Sequence, residues 1–196
     1  MASRSARGRL AAVEARRYTP RVSAIEIRRA RPDDAPALGR MGATLARLHH
    51  RMDGRRFFAM PGMEDGYASW LAKEMASRKA VVLAAVARSR GREQVVGYAY
   101  GRLEGRDWNT LRGPAGVGVD LYVAPRARRR GAGRLLLEAL ARELVRRGAP
   151  RVVIHVAARN RRALEMFEEM GFRRTVVELA LEGSELAETR RSKRSA

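Results

Sequence analysis

The chain has 196 residues, 45% of them hydrophobic, with 41 Lys and Arg against 21 Asp and Glu, a formal net charge of +20. That length supports one sizeable core rather than two domains, and the absence of cysteine excludes disulfides, thiolate metal sites and a cysteine nucleophile. No run reaches the roughly 20 apolar residues of a membrane span, and the first residues lack the apolar core of a secretory signal, so a soluble, cytoplasmic protein with no membrane partner is expected.

Residues 1–21 are basic, poor in large apolar side chains and read as a mobile tail. A single domain is expected over 22–183. Ala24 to Arg29 alternates apolar and charged residues as a first strand does, and Arg31-Pro32-Asp33-Asp34 supplies a turn and a helix N-cap. Leu38, Met41, Leu45 and Leu48 recur at helical spacing through His49, and Tyr67, Trp70, Leu71 and Met75 do so over Met63 to Ser77. Lys79 to Ala87 and Gln94 to Leu103 read as an antiparallel hairpin around ArgSerArgGlyArgGlu, and Gly118 to Val123 as the next strand. Helix 132–147, strand 151–157, helix 161–170 and strand 174–181 follow, and 184–196, with the cluster ArgArgSerLysArg, reads as a second mobile basic tail. The order is mixed α/β with one βαβ unit.

A surface this basic attracts polyanions whatever its fold, so nucleic acid is one alternative partner. The charge is nearly all arginine, however, is spread over every segment, and has few aromatics beside it for base stacking, so specific nucleic-acid binding is not the expectation.

Between Val119 and Leu137 an apolar run gives way to Arg128-Arg129-Arg130-Gly131-Ala132-Gly133 and then to a strongly helical stretch. Such a stretch is a phosphate cradle, because the first N–H groups of a helix lack intrahelical partners and the helix dipole favours an anion there. Gly131 and Gly133 allow close approach, and Arg128, Arg130 and Arg134 add charge and bidentate hydrogen bonding. The Gly-Lys-Ser/Thr ending of a P-loop is missing, and Leu136 stands where a dinucleotide fingerprint has its third glycine.

The Arg-x-x-Gly-x-Gly run resembles the pyrophosphate loop of the GNAT superfamily of acetyl-CoA-dependent N-acetyltransferases. ValAlaAlaArgAsn at 156–160, Ala163, Phe167 and Met170-Gly171-Phe172 resemble the second signature of that family, in the right order. The resemblance spans about Ile25 to Leu181. It implies an α/β fold with a central mixed, mostly antiparallel twisted sheet flanked by helices, in which the one βαβ unit carries the loop. It also implies acetyl-CoA as cosubstrate, no metal, and direct transfer to a primary amine of a small molecule or a protein, with a homodimer as one possible assembly. Arg128, Arg129, Arg130, Gly131, Ala132, Gly133 and Arg134 would hold the pyrophosphate. Leu121, Tyr122 and Val123 would line the pantetheine, with the backbone at Val123 polarising the thioester carbonyl. Asn160 would cap a helix or reach the pantetheine, beside Ala163 and Phe167.

A lysine-like amine is neutral only about one time in a thousand at pH 7, a deficit of roughly 4–5 kcal/mol, so a base is useful. Asp120, on the strand leading into the loop, is the first candidate; the competing reading is a carboxylate paired with an arginine. Glu104 is the second. Many family members carry a Glu on this strand where Val117 and Val119 stand here, and a Tyr general acid where Phe167 stands. That departure leaves a non-catalytic acyl-CoA-binding regulator as an alternative. His49 and His50 read as a helix-terminal pair rather than metal ligands, and His155 as a hydrogen-bonded core residue. Tyr98, Tyr100, Trp108 and the first two helices are the expected acceptor contacts.

Overall fold

The Ala- and Val-rich segment Ala80–Ser89 (β2) has apolar residues at nearly every position, the pattern of a strand covered on both faces. In the computed structural model, which describes residues 25–89 and 92–185, it is flanked by β1 (Ile25–Arg29) and β3 (Arg92–Glu104). The five-stranded sheet has the order β1-β2-β3-β4-β5, with β4 at Ala115–Val123 and β5 at Val152–Ile154. All pairs are antiparallel except β4–β5, joined through α3 (Ala132–Arg146) as the expected βαβ unit. The expected N-terminal tail lies outside the described residues, as does all of the expected C-terminal tail beyond Glu185.

Two helices, α1 (Ala35–Met52) and α2 (Met63–Ala76), cover one face over Leu38, Leu45, Leu71, Val82, Tyr98, Tyr100 and Tyr122. On the other face α3 inserts Leu136, Leu140 and Leu144 against Val81, Leu83, Ala85 and Ala99. Each of those leucines is almost fully buried, which contributes up to roughly 1.5–3 kcal/mol apiece. Close contact between α1 and α2 depends on Gly39 and Gly42: a Cβ at Gly39 would sit 2.7 Å from the Ala68 Cβ, and one at Gly42 2.7 Å from Cγ of Tyr67. Gly42 therefore seats the Tyr67 ring, and Gly39 lets Ala68 approach.

Several boundaries differ from expectation. Strand β4 starts at Ala115, three residues before the expected Gly118, because the flanking glycines mask a paired segment. Strand β5 is only three residues, not seven. Asp34 stands at the N-terminus of α1 without capping it; its buried carboxylate instead accepts from Arg28 Nη1 and from the Arg31 N–H, both at 2.7 Å. Burial alone would raise the Asp34 carboxyl, but those hydrogen bonds hold it below the usual range. The expected strand at 174–181 has no regular secondary structure and joins no ladder among the described residues, with Val176, Val177, Leu179 and Leu181 between 68% and 90% exposed. Alternation gives strand character to a segment, but a ladder also needs an edge to pair with. The fourth helix, α4 (Arg161–Glu169), precedes it.

Candidate active site

The arginine–glycine loop forms at the start of α3. Pro125–Ala127 makes a single 3-10 turn, Arg129 takes φ 61°, and Gly131 takes φ 76° at the helix N-cap. The left-handed conformation at Gly131 explains the glycine, and a Cβ built there meets nothing within 4 Å, so the space before it is open. The first N–H groups of α3, at Ala132, Gly133 and Arg134, face that end of the helix. Arg128, Arg129 and Arg130 are exposed around it. Arg128 donates from Nε to the Val123 carbonyl at 2.9 Å and lies over the Tyr122 ring, while Arg134 pairs with Glu169 at 2.7 Å. A helix start, open space and surplus guanidinium charge fit a pyrophosphate.

Beside the loop, the sheet splits. The β4–β5 ladder stops at Gly118↔Ile154, leaving β4 from Val119 onward without a neighbour on that side. The Ala124 N–H donates to the Val96 carbonyl at 2.8 Å, and the antiparallel two-residue period then turns the peptide groups of Leu121 and Val123 toward the vacated edge. Asn160 caps α4, its side chain accepting from the Ala163 N–H at 3.3 Å. Phe167 is buried against Phe172, with ring centroids 6.1 Å apart. Met166 of α4 approaches the Gly133 position, so α3 and α4 flank one slot.

Three residues before Val123, Asp120 faces α1 and α2. It accepts a hydrogen bond from the Tyr98 hydroxyl at 2.7 Å. Among the described residues it has no ion pair, which rules against the arginine-paired reading. Burial raises its carboxyl above the usual Asp value, partly offset by the Tyr98 bond. Burial and the Asp120 charge raise both neighbouring phenols, Tyr67 to about 12, so both stay protonated donors at neutral pH. Tyr100, two residues along β3, donates to Glu74 of α2 at 2.7 Å, and Trp70 packs edge-on against its ring. Tyr67 and Glu74 were missed as site residues. Glu74 follows Tyr67, Trp70 and Leu71 on the buried stripe of α2, and a carboxylate in that register is the signal that marks it.

Other expected residues lie elsewhere. Trp108 is 72% exposed on the β3–β4 loop, at the end of β4 opposite Val123, and stacks with Arg106. Glu104 sits at that same end and accepts from Arg112 at 2.6 Å, which leaves it no part beside Asp120. His155 is exposed rather than in the core. His49 stacks on Phe57 at 5.1 Å and the His50 Nδ1 lies 2.6 Å from the Phe57 carbonyl, so the pair fastens the chain after α1. Among the described residues no group of three or more His, Asp or Glu is placed to hold a metal, and no helix is long and apolar enough to cross a membrane.

A mixed sheet split beside an arginine–glycine helix start defines an acetyltransferase architecture. The chain belongs to the acetyltransferase (GNAT) family, whose model matches residues 49–172. It is 33% identical over 95 residues to the mycothiol acetyltransferase of Nocardioides sp. (strain ATCC BAA-499 / JS614), a match covering 47% of this chain and 32% of that relative. The chain thus spans about a third of that protein's length. Among solved structures, its fold is similar to the aminoglycoside N-acetyltransferase AAC(6')-Iy in complex with CoA, with a TM-score of 0.65 and 18% identity, covering 83% of this chain and 97% of the other. A tetramutant of the BH1408 protein from Bacillus halodurans also gives a TM-score of 0.65, at 22% identity, covering 80% and 99%.

Proposed function

We propose that the protein is an N-acetyltransferase that moves an acetyl group from acetyl-CoA to a primary amine of a small molecule, by direct attack in a ternary complex. The observation that carries this reading is the placement, on one strand, of a carboxylate with no ion pair among the described residues only three residues from the Val123 edge beside the arginine–glycine loop. Bound acetyl-CoA supplies the acyl group as a thioester.

The residues of the chain divide the work. The α3 N-terminus and Arg128 to Arg134 bind the pyrophosphate. The peptide groups of Leu121 and Val123 orient the pantetheine and polarise the carbonyl. Asp120, its carboxylate oriented by Tyr98, accepts the proton of the incoming ammonium directly or through water, and the neutral amine then attacks. The C–N bond forms as the C–S bond breaks, and the nitrogen then gives up its second proton to water. With Phe167 in place of a tyrosine, the sulfur leaves as thiolate, at a cost of only about 2 kcal/mol at pH 7 for a thiol of pKa near 8.5. Asp120, which has no ion pair among the described residues, gives this face a local negative character that admits an ammonium into a chain of net charge +20, whereas Glu74 is offset by Arg102 at 3.8 Å. The cysteine-free sequence is compatible with the reducing cytoplasm.

Calorimetric titration with acetyl-CoA tests the loop. Gly133→Glu is the informative variant, because Gly133 has a helical backbone and a Cβ there meets Met166 Sδ at an ordinary 3.6 Å. A carboxylate at that point should lower affinity roughly tenfold or more by opposing the pyrophosphate. Unchanged affinity rejects the loop assignment. Wild-type binding with no thiol release across a panel of amines would replace the enzyme with an acyl-CoA-binding regulator.

A further inference from the structure

The end of the domain opposite the arginine–glycine loop holds a second concentration of positive charge. Where β1 ends, α2 passes into β2 and α3 finishes, a cleft of about 410 Å³ is lined by Arg29, Arg78, Arg146 and Arg147, with Met75 and Ser77 between them. Glu143 is the carboxylate bonded to this group among the described residues. Its two oxygens accept four hydrogen bonds, from Arg29 Nη1 at 3.3 Å and from Arg146 Nε, Arg146 Nη2 and Arg147 Nε at 2.8 Å each, which fills the acceptor capacity of a carboxylate. Arg147 is 17% exposed, and its Nη1 also donates to the Arg78 and Ala80 carbonyls, so it holds the wall of the cleft. The other three guanidinium groups keep donors in reserve. Arg29 and Arg146, 50% and 70% exposed, give Glu143 one and two hydrogen bonds from five donors apiece, and Arg78 has no ion pair among the described residues. The Ser77 hydroxyl accepts from the Lys79 N–H at 3.3 Å and keeps its own proton to donate.

We infer that this cleft binds a phosphate-bearing small molecule, at a site separate from the one where acetyl transfer is proposed. Glu143 is saturated while the arginines are not, and four guanidinium groups against one carboxylate leave a surplus of positive charge that suits a phosphate dianion. Guanidinium forks match phosphate oxygens two at a time. Size points to an organic phosphate: the cleft falls within the roughly 300–1,000 Å³ of small-molecule sites, and Met75 offers an apolar surface to the rest of the ligand. The charge is gathered in one hollow rather than drawn out as the track a nucleic-acid backbone follows. Position keeps the two anion sites apart, since α3 has 15 residues and so puts roughly 20 Å of helix between this cleft and the turn at Gly131.

Calorimetry on the full-length Gly133→Glu chain, whose added carboxylate opposes phosphate at the loop, tests the inference at roughly 0.1 M salt, where charges beyond about 10 Å are screened. Glucose 6-phosphate should bind at one site and glucose should not bind. Adding Arg78→Gln and Arg146→Gln should weaken that binding roughly tenfold or more, with unchanged near-ultraviolet circular dichroism because both side chains are exposed. Glu143→Gln keeps an acceptor and removes the competing charge, so it should tighten binding about threefold or more. Arginines that serve only to hold Glu143 would show no such gain. Made in the native chain, the two arginine substitutions should remove the same phosphate site and leave acetyl-CoA affinity as it was, which separates this proposal from the reading of the loop. Inorganic phosphate binding as tightly as glucose 6-phosphate supports the site and assigns it to the free ion. Binding of neither phosphate, binding indifferent to the arginine substitutions, weaker binding in Glu143→Gln, or capture of a DNA duplex alone overturns the proposal.

Discussion

Two carboxylates on this arginine-rich chain meet opposite environments. Glu143, on α3, gathers Arg29, Arg146 and Arg147, and its pKa is lowered to about 2, chiefly by the hydrogen bond from Arg146 and then by that from Arg147 against the cost of burial. Asp120, on β4, has only a tyrosine hydroxyl, and burial moves its carboxyl the other way. Although the chain is rich in arginine, Asp120 has no ion pair among the described residues, which follows from its location. It lies on the sheet face covered by α1 and α2, where Tyr67, Trp70, Tyr98, Tyr100 and Tyr122 occupy the surrounding volume. One carboxylate is neutralised to hold the fold; the other is left able to take a proton.

The largest effect should come from Asp120→Asn. We expect kcat/KM to fall roughly 10²–10⁴-fold, the range for a positioned base, with acetyl-CoA affinity by calorimetry unchanged. The same variant should be no less stable at neutral pH. An acid whose folded pKa is raised contributes its extra stability only at low pH and loses it as pH rises through the folded value. An equal loss of activity and acetyl-CoA binding would make Asp120 structural.

Glu143→Gln should come next. Removing the shared acceptor of three guanidinium groups should cost about 1–2 kcal/mol in urea unfolding, modest because two of the three arginine side chains are half or more exposed. Glu143 is depressed in the folded state, so its contribution is present above the ordinary carboxylate range and disappears as pH falls toward about 2. The variant should lose that acid dependence. If both proteins show the same slope between pH 5 and 2 (roughly the window set by ordinary and depressed values), the cluster is energetically idle.

The smallest effect is the sharpest probe of the contrast. Tyr98→Phe removes the bond that favours ionised Asp120, so the acid limb of the kcat/KM profile should move upward by about half to one pH unit. A limb that stays put, or moves down, separates Asp120 from the observed titration.

Much of this was legible in the sequence, unevenly. Helical periodicity found α1 to α4, and the glycine–arginine run located the turn that starts α3, because both signals are local. The tyrosine–carboxylate pairs were not legible: Tyr98 and Asp120 are 22 residues apart, and their meeting depends on β3–β4 register. Trp108 was misplaced for a related reason, since composition does not say which end of a hairpin lies beside the arginine–glycine loop. His155 alternates with Ile154 and Val156 as a core residue would, but β5 ends one residue too early to bury it. The segment 174–181 has correct strand chemistry and no partner within the sheet, so propensity alone overstated its structure.

The register shift between Tyr100 and Gly101 has a consequence of its own. Tyr100 pairs with Asp120 and Gly101 with Gly118, so Val119 is an extra residue in β4. Before it, Val117 lies opposite Arg102, whose side chain reaches Glu74 and so marks the α2 face; after it, Asp120 and Tyr122 occupy that same face. The strand thus carries a dislocation that reverses its parity. Counted by strict alternation from Val117, Asp120 would point at α3 and be of no use to an amine on the opposite side. The Asp120 carboxylate owes its orientation to a count of residues rather than to their kind, and a family member lacking this insertion would need its own acid at an even-numbered step from Val117, two residues away instead of three.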